Sequence, residues 1–229
     1  MKKPIVNYRS IINQCILCRT SSSLSSGFCQ SCFDDLPWLQ EHCQICALPL
    51  PASNSELICA NCLKKAPTFR KVTALFEYRF PIDQLISSIK YNGKAQYIGH
   101  LSRLCEEKLA HLNQFDCIIP IPMHRVSLFK RGFNQSELLA SQLSKALGIP
   151  IDKNSLKKVR NTPKQMQLER KQRLRNQQGA FHCVKLSQRH VLLIDDVMTT
   201  GATLESASQA LMAAGALTIE VLVIARTER

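Results

Sequence analysis

Two adjacent carboxylates, Asp195 and Asp196, stand just ahead of a run rich in hydroxyls, Thr199-Thr200-Gly201-Ala202-Thr203. The run can turn several backbone N–H groups inward, and Gly201 tolerates positive φ and close approach. It feeds a helix whose first N–H groups lack partners, so an anion is favoured there. A helix end contributes only about 0.3–1 kcal/mol at an exposed site, so the donor array must do most of the binding. Asp195 and Asp196 would repel a phosphate that they faced. They suit vicinal hydroxyls, or the charge of a bound Mg²⁺ complex. A phosphorylated sugar with free hydroxyls satisfies both halves. The run is not a Walker A loop, because no Gly-Lys-Thr/Ser follows.

A second chemistry lies near the start of the chain. Eight of the eleven cysteines form four CxxC pairs: Cys15/Cys18, Cys29/Cys32, Cys43/Cys46 and Cys59/Cys62. Each pair can give two thiolates to one tetrahedral ion, so four pairs supply two Cys₄ sites of the closed, structural zinc type. Ten residues separate the pairs of the first site and twelve those of the second. Sequential pairing is expected, and the spacing also leaves an interleaved arrangement open. Redox CxxC chemistry competes, but four pairs in tandem argue against it. So short a segment has little core of its own, so metal would supply much of its folding energy. His42, beside Cys43, is expected to be a bystander. His100, His111, Cys105 and Cys117 are expected to be surface or core residues.

These groups need elements to position them. Val191-Leu192-Leu193-Ile194 is apolar throughout, as a strand buried on both faces should be, and places the acid pair at its C-terminal end. After the turn, Thr203 can cap a helix bearing Leu204, Ala207, Leu211 and Ala214 on one face, with Gly215 ending it. Ile219–Ala225 supplies the next strand, which makes a parallel crossover. Upstream, Val72–Phe80 reads as a strand. Ile82–Lys90 reads as a helix with Ile82, Leu85, Ile86 and Ile89 inward, followed by a turn at Tyr91–Lys94 and a second helix from Tyr97 to about Leu112. Phe115–Pro122 reads as another buried strand ended by its prolines. A basic loop, Met123–Gln135, follows it. The helix after that carries Leu139, Leu143, Ala146 and Leu147, closed by Gly148 and Pro150. The most basic stretch is Val159–Asn176, which lacks aromatic residues.

The apolar strand, the Asp-Asp pair and the Thr-Thr-Gly-Ala-Thr turn together resemble the PRPP (5-phosphoribosyl 1-diphosphate) motif of type I phosphoribosyltransferases. The resemblance implies PRPP phosphate on Thr199, Thr200, Gly201, Ala202 and Thr203, and ribose hydroxyls on Asp195 and Asp196 as the catalytic pair. It further implies diphosphate near Arg125, Lys130 and Arg131, Mg²⁺ bound with PRPP, and a mobile lid at 159–176 that contributes Lys164 and Arg170. Pro120-Ile121-Pro122-Met123-His124-Arg125, then Lys130-Arg131-Gly132-Phe133-Asn134-Gln135, narrow the likeness to the ComF (ComFC) family. Lys90-Tyr91-Asn92-Gly93, Asn161-Thr162-Pro163-Lys164-Gln165 and the paired CxxC module fit it in the same order. That family joins a zinc ribbon to a phosphoribosyltransferase-like domain and is linked to natural DNA transformation. The implied architecture is an α/β, type I phosphoribosyltransferase-like parallel sheet with flanking helices. A double zinc ribbon would occupy 1–66 and the phosphoribosyltransferase-like domain 67–229.

Composition is compatible with this. A chain of 229 residues holds one α/β domain and a small module. A net charge of +13 favours phosphates or polyanions without choosing among them. No apolar run is long enough to span a membrane. Asn7, Tyr8, Arg9, Asn13 and Gln14 interrupt any signal-peptide core after Lys2 and Lys3. A cytoplasmic protein is expected, its cysteines serving metal. Two functions follow. One is a PRPP-using transferase whose acceptor the residues do not reveal. The other is a non-catalytic PRPP sensor, or a single-stranded DNA adaptor of the uptake machinery that docks a helicase (ComFA-like). Phosphoribosyltransferase folds support both kinds of role.

Overall fold

The computed structural model describes residues 14–21, 24–51, 57–109, 115–160, 179–187 and 189–228. Its centre is a four-stranded sheet in the order β1 (Lys71–Glu77), β6 (Thr218–Arg226), β5 (His190–Met198) and β2 (Cys117–Pro120), with every neighbouring pair parallel. Parallel strands need crossovers, and these lay helices on both faces. Residue parity then decides the packing. Val191 and Leu193 of β5, with Val221 and Val223 of β6, enter one core cluster, while Leu192, Ile194, Leu222 and Ile224 enter the other. An uninterrupted apolar run is therefore what the central strands require.

The helices α3 (Ile82–Tyr91), α4 (Tyr97–Leu109) and α6 (Gln135–Leu147) supply Ile86, Leu101 and Leu143 to the second cluster. The first is covered by α7 (Ala202–Ala213), which crosses from β5 to β6, and by a two-stranded antiparallel hairpin of β3 (Leu156–Lys158) and β4 (Phe181–Cys183). The cysteine module divides between the two faces. Phe28 and Leu36, near the short helix α1 (Gln30–Asp34), lie in the α3/α4/α6 cluster, whereas Cys43, Cys46, Cys59 and Cys62, with α2 (Ala60–Lys64), lie in the α7 cluster. The segment between the ribbons runs beside β1. Leu39 N–H donates to the Leu75 carbonyl at 2.9 Å, Val72 N–H to Ile45 at 2.8 Å and Glu77 N–H to Pro37 at 2.8 Å. The module thus covers a sheet edge that would otherwise present unpaired backbone groups.

The expected helix over Ile82–Lys90 is present with Ile82, Leu85, Ile86 and Ile89 buried, and Gly148 ends α6 in the left-handed conformation. Three local expectations are corrected. β5 does not stop before the acids but runs through Asp195 and Asp196 to Met198. The basic segment after β2 is not all loop, because Arg125–Arg131 forms a seven-residue helix, α5, ended by left-handed Gly132. Thr203 does not cap α7; Gly201 occupies the cap position, and no side chain caps it. The hairpin β3/β4 has no counterpart in the sequence reading. The stretch 161–178, with Lys164 and Arg170, lies outside the described residues, as do His111 and residues 1–13.

Candidate functional site

The site forms where β5 ends, at the sheet edge where parallel folds bind their ligands. The two acids diverge in partner. Asp195 Oδ1 accepts from Ser136 Oγ, at the start of α6, at 2.8 Å and from the Asp196 N–H at 2.9 Å. Among the described residues, Oδ2 is left open to a ligand. Asp196 makes a 2.8 Å ion pair with Lys90 Nζ from the end of α3, largely out of water. Burial pushes the Asp195 carboxyl up to about 7, and the neighbouring charge of Asp196 adds to the effect. Lys90 is held above its ordinary value by Asp196, against the opposing effect of burial. Lys158 of β3 is lowered by burial, an effect that the charge of Asp195 counters, so a second amine shares this field.

The turn after β5 is built around Gly201, at φ 79°. The left-handed φ favours glycine there, and a Cβ would lie 2.6 Å from Met198 Cε, so the Met side chain would have to move aside. Thr200 Oγ1 accepts from the Ala202 N–H at 3.4 Å. A small cavity of about 20 Å³ is lined by Asp195, Val197, Met198, Thr199, Gly201, Ala202, Thr203 and Leu204, so the acid and the turn share one concavity.

The basic residues after β2 are treated unequally. Arg131 Nη1 donates to Gln135 Oε1 at 2.7 Å, and its guanidinium lies 5.6 Å from the Tyr91 ring centroid. Gln135 is the neighbour of Ser136, so Arg131 is drawn to the wall that holds Asp195. Gln135 Nε2 is buried without a hydrogen-bond partner among the described residues. Arg125 and Lys130 sit on exposed positions of α5, and no ion pair or hydrogen bond among the described residues joins them to the acids.

Sequence reasoning missed Lys90, Ser136 and Lys158 as site residues. Lys90 carried a signal, a charge one position beyond the apolar stripe of α3. Ser136 and Lys158 carried none that marked the site, because long-range packing alone brings them to Asp195.

The cysteines close into two groups, Cys15/Cys18/Cys29/Cys32 and Cys43/Cys46/Cys59/Cys62, whose sulfurs lie within 4.8 Å of one another in each. The pairing is sequential, and His42 belongs to neither group. The Cys18–Cys29 and Cys46–Cys59 sulfur separations are 3.6 and 3.7 Å. A tetrahedron with Zn–S bonds of about 2.3 Å has edges of about 3.8 Å, so both cages fit zinc. Cys43 Sγ also accepts from the Cys59 N–H at 3.3 Å, a bond suited to a thiolate. The Thr20 hydroxyl draws Cys18 down to about 6, toward the ligating form. These are two structural Cys₄ zinc sites.

Comparison with known proteins agrees with this layout. The double zinc ribbon domain matches residues 13–68, and the phosphoribosyl transferase domain matches residues 133–229. DNA utilization protein YhgH of Shigella flexneri is 33% identical over 221 residues, 93% of this chain and 96% of its own length. Competence protein F of Haemophilus influenzae is 33% identical over 224 residues, with the same coverage of 93% and 96%. Competence protein ComFC of Bacillus subtilis is 25% identical over 198 residues, 82% of this chain and 78% of that one.

Proposed function

The chain belongs to the ComF family, in which a double zinc ribbon is joined to a phosphoribosyltransferase-like domain, and from that premise we propose that it binds PRPP in the service of natural DNA transformation. The observation that carries the proposal is the shared concavity of Asp195 and the Thr199–Thr203 turn, with Ser136 fixing one carboxylate oxygen. The 5-phosphate sits on the amides and hydroxyls of the turn. Ribose hydroxyls donate to Asp195, while Lys90 balances the charge of Asp196. Arg131 meets the diphosphate, assisted by Arg125 and Lys130; Lys164 and Arg170, the further basic residues proposed for it, lie outside the described residues. A Mg²⁺ ion bound with PRPP would supply charge screening for the diphosphate, beside the carboxylates of Asp195 and Asp196.

In catalysis, the anomeric C–O bond breaks and the electron pair leaves with diphosphate. The sugar gains oxocarbenium character, as in glycosyl transfer generally. The carboxylates stabilise this cation electrostatically, and an acceptor then forms the new bond to the anomeric carbon. This would make the protein a cytoplasmic glycosyltransferase, with the ribbon at 1–66 and the catalytic domain at 67–229.

A second role is favoured by a separate observation. Phe129 is 91% exposed and Tyr91 57% exposed, and Arg131 lies against the Tyr91 ring. Exposed aromatics among cations can stack the bases of single-stranded DNA, as suits an adaptor that passes DNA to an uptake helicase. Relatives named for DNA utilization and competence support this direction.

Calorimetric titration of the zinc-loaded protein with PRPP and Mg²⁺, beside Asp195→Asn/Asp196→Asn, separates the two roles. Binding by the wild type alone is expected. Absence of binding to both proteins, with DNA affinity intact, would leave the adaptor role in place of the transferase.

A further inference from the structure

The two zinc ribbons hold the rest of the protein in different ways. The first docks on α4. His100 Nδ1 meets the Ser26 carbonyl at 2.8 Å, and Arg103 donates to the Ser25 carbonyl. Gly27, at φ +84°, lies so close to His100 that a Cβ would stand 2.1 Å from its ring. None of these contacts reaches the phosphate turn.

The second ribbon does reach it, through Arg226 at the end of β6. This side chain is 4% exposed. Its Nε donates to the carbonyl of the zinc ligand Cys46 at 3.1 Å. Its Nη1 donates to the carbonyls of Met198 at 3.1 Å, Thr227 at 2.9 Å, and Thr199. A trans peptide points its N–H opposite to its C=O. With the Met198 and Thr199 carbonyls turned onto the guanidinium, the N–H groups of Thr199 and Thr200 are aimed away from it. Those amides open the turn that the 5-phosphate would occupy. A groove of about 760 Å³ between α2 and the turn is lined by Phe69 and Arg226. Thr68 makes a second link at its rim, donating from its N–H at 2.9 Å and its hydroxyl at 2.7 Å to Glu205 of α7, but Arg226 is the side chain that joins a zinc ligand to the carbonyls of the turn.

We propose that Arg226 is a positioning residue for the phosphoribosyl site, aiming the amides of the phosphate turn, and that the second zinc ribbon is the anchor it works from. The proposal rests on the PRPP-binding reading above. Arg226 does not touch the ligand. It orients the donors that do, because its planar fork can hold several carbonyls in fixed directions. Zinc at Cys43/Cys46/Cys59/Cys62 would fix the Cys46 peptide, and through it the turn. Among the described residues, the first site has no such line of contact to the turn.

The test uses the full chain with zinc quantified. Wild type, Arg226→Met, Arg226→Lys, Cys59→Ser/Cys62→Ser and Cys15→Ser/Cys18→Ser are titrated with PRPP and Mg²⁺. Amide hydrogen exchange of residues 198–203 is measured on the same proteins without ligand. Arg226→Met and the second-site variant should bind at least tenfold more weakly, and their turn amides should exchange at least tenfold faster. Arg226→Lys should recover part of both losses. The first-site variant should lose one zinc yet shift affinity and exchange less than threefold.

Equal effects from the two zinc sites would overturn the proposal. So would wild-type affinity and exchange in Arg226→Met, a change that leaves all eight cysteines in place and so keeps the question answerable if a cysteine variant fails to fold. If the wild type binds no PRPP, the reading of the site fails separately, and the exchange data still judge the anchoring.

Discussion

Asp195 and Asp196 are neighbours of one chemical type, yet their surroundings give them different tasks. Asp196 has a cation at 2.8 Å. Asp195 has a hydroxyl and a backbone N–H for Oδ1, with the charges of Asp196, Lys90 and Lys158 in its field, and burial lifts it from 3.8 to about 7. An acid raised in the fold favours its protonated form there, whereas the unfolded chain ionises near 3.8. Between about pH 4 and 7 the unfolded state therefore binds fewer protons, and stability falls as pH rises through that window. One pKa unit corresponds to about 1.4 kcal/mol, and solvent reaching this half-buried group reduces the effect, so a loss of about 1–3 kcal/mol is expected. Denaturant melts from pH 4 to 8 should show it, and Asp195→Asn should abolish that slope. Ligand binding runs the other way. Sugar hydroxyls donate best to the ionised carboxylate, so PRPP affinity should rise between pH 6 and 8. The phosphates of PRPP titrate there too, but equally for Asp195→Asn, so a rise as steep in the variant as in the wild type would refute the role of Asp195.

At the level of elements, the ribbons are also the cover of β1. The 37–45 segment pairs with β1 through Leu39, Val72 and Glu77, and its path is set by a cysteine cage on either side. Removing zinc should free the segment and expose a parallel-sheet edge, a template for pairing between chains. Two zinc ions per reduced chain are expected. Chelation should lower the melting temperature by ten degrees or more and drive concentration-dependent association, read by light scattering; a monomer that melts unchanged would show that the edge is covered without metal.

The same elements explain what the sequence could reveal. The buried strands, α3 and α6 were legible because parity and helical spacing marked their apolar faces, and the cage spacing marked both zinc sites. The helix α5 was not, because none of its residues is buried and it has no apolar stripe to mark it. The extension of β5 through two aspartates was hidden as well. Aspartate is depleted in strands, and only the long-range partners Lys90 and Ser136 make it acceptable there. The strands of the β3/β4 hairpin have three residues each, too few for a period.

For the whole molecule the governing quantity is its charge of +13. Such a surplus raises the local concentration of any polyanion, but it is not spread evenly. The second half of the acid inventory is partly consumed internally, by Lys90–Asp196, Arg70–Glu220 and Lys153–Glu137. Between Lys157 and Arg175, by contrast, the sequence carries Lys157, Lys158, Arg160, Lys164, Arg170, Lys171, Arg173 and Arg175 and a single acid, Glu169. If this stretch grips a single-stranded backbone, each neutralised phosphate contributes about 0.7 to the slope of log K against log salt. Replacing Lys171, Arg173 and Arg175 with Gln should then reduce that slope by about 2, while PRPP affinity at the acid pair changes far less. The aromatic platform predicts a complementary pattern: Phe129→Ala should weaken DNA binding without altering the slope, since stacking releases no counterions. Fluorescence anisotropy with a labelled oligonucleotide between 50 and 300 mM salt reads both. An unchanged slope in the triple variant would remove the basic stretch from the DNA path and leave it to the phosphoribosyl site.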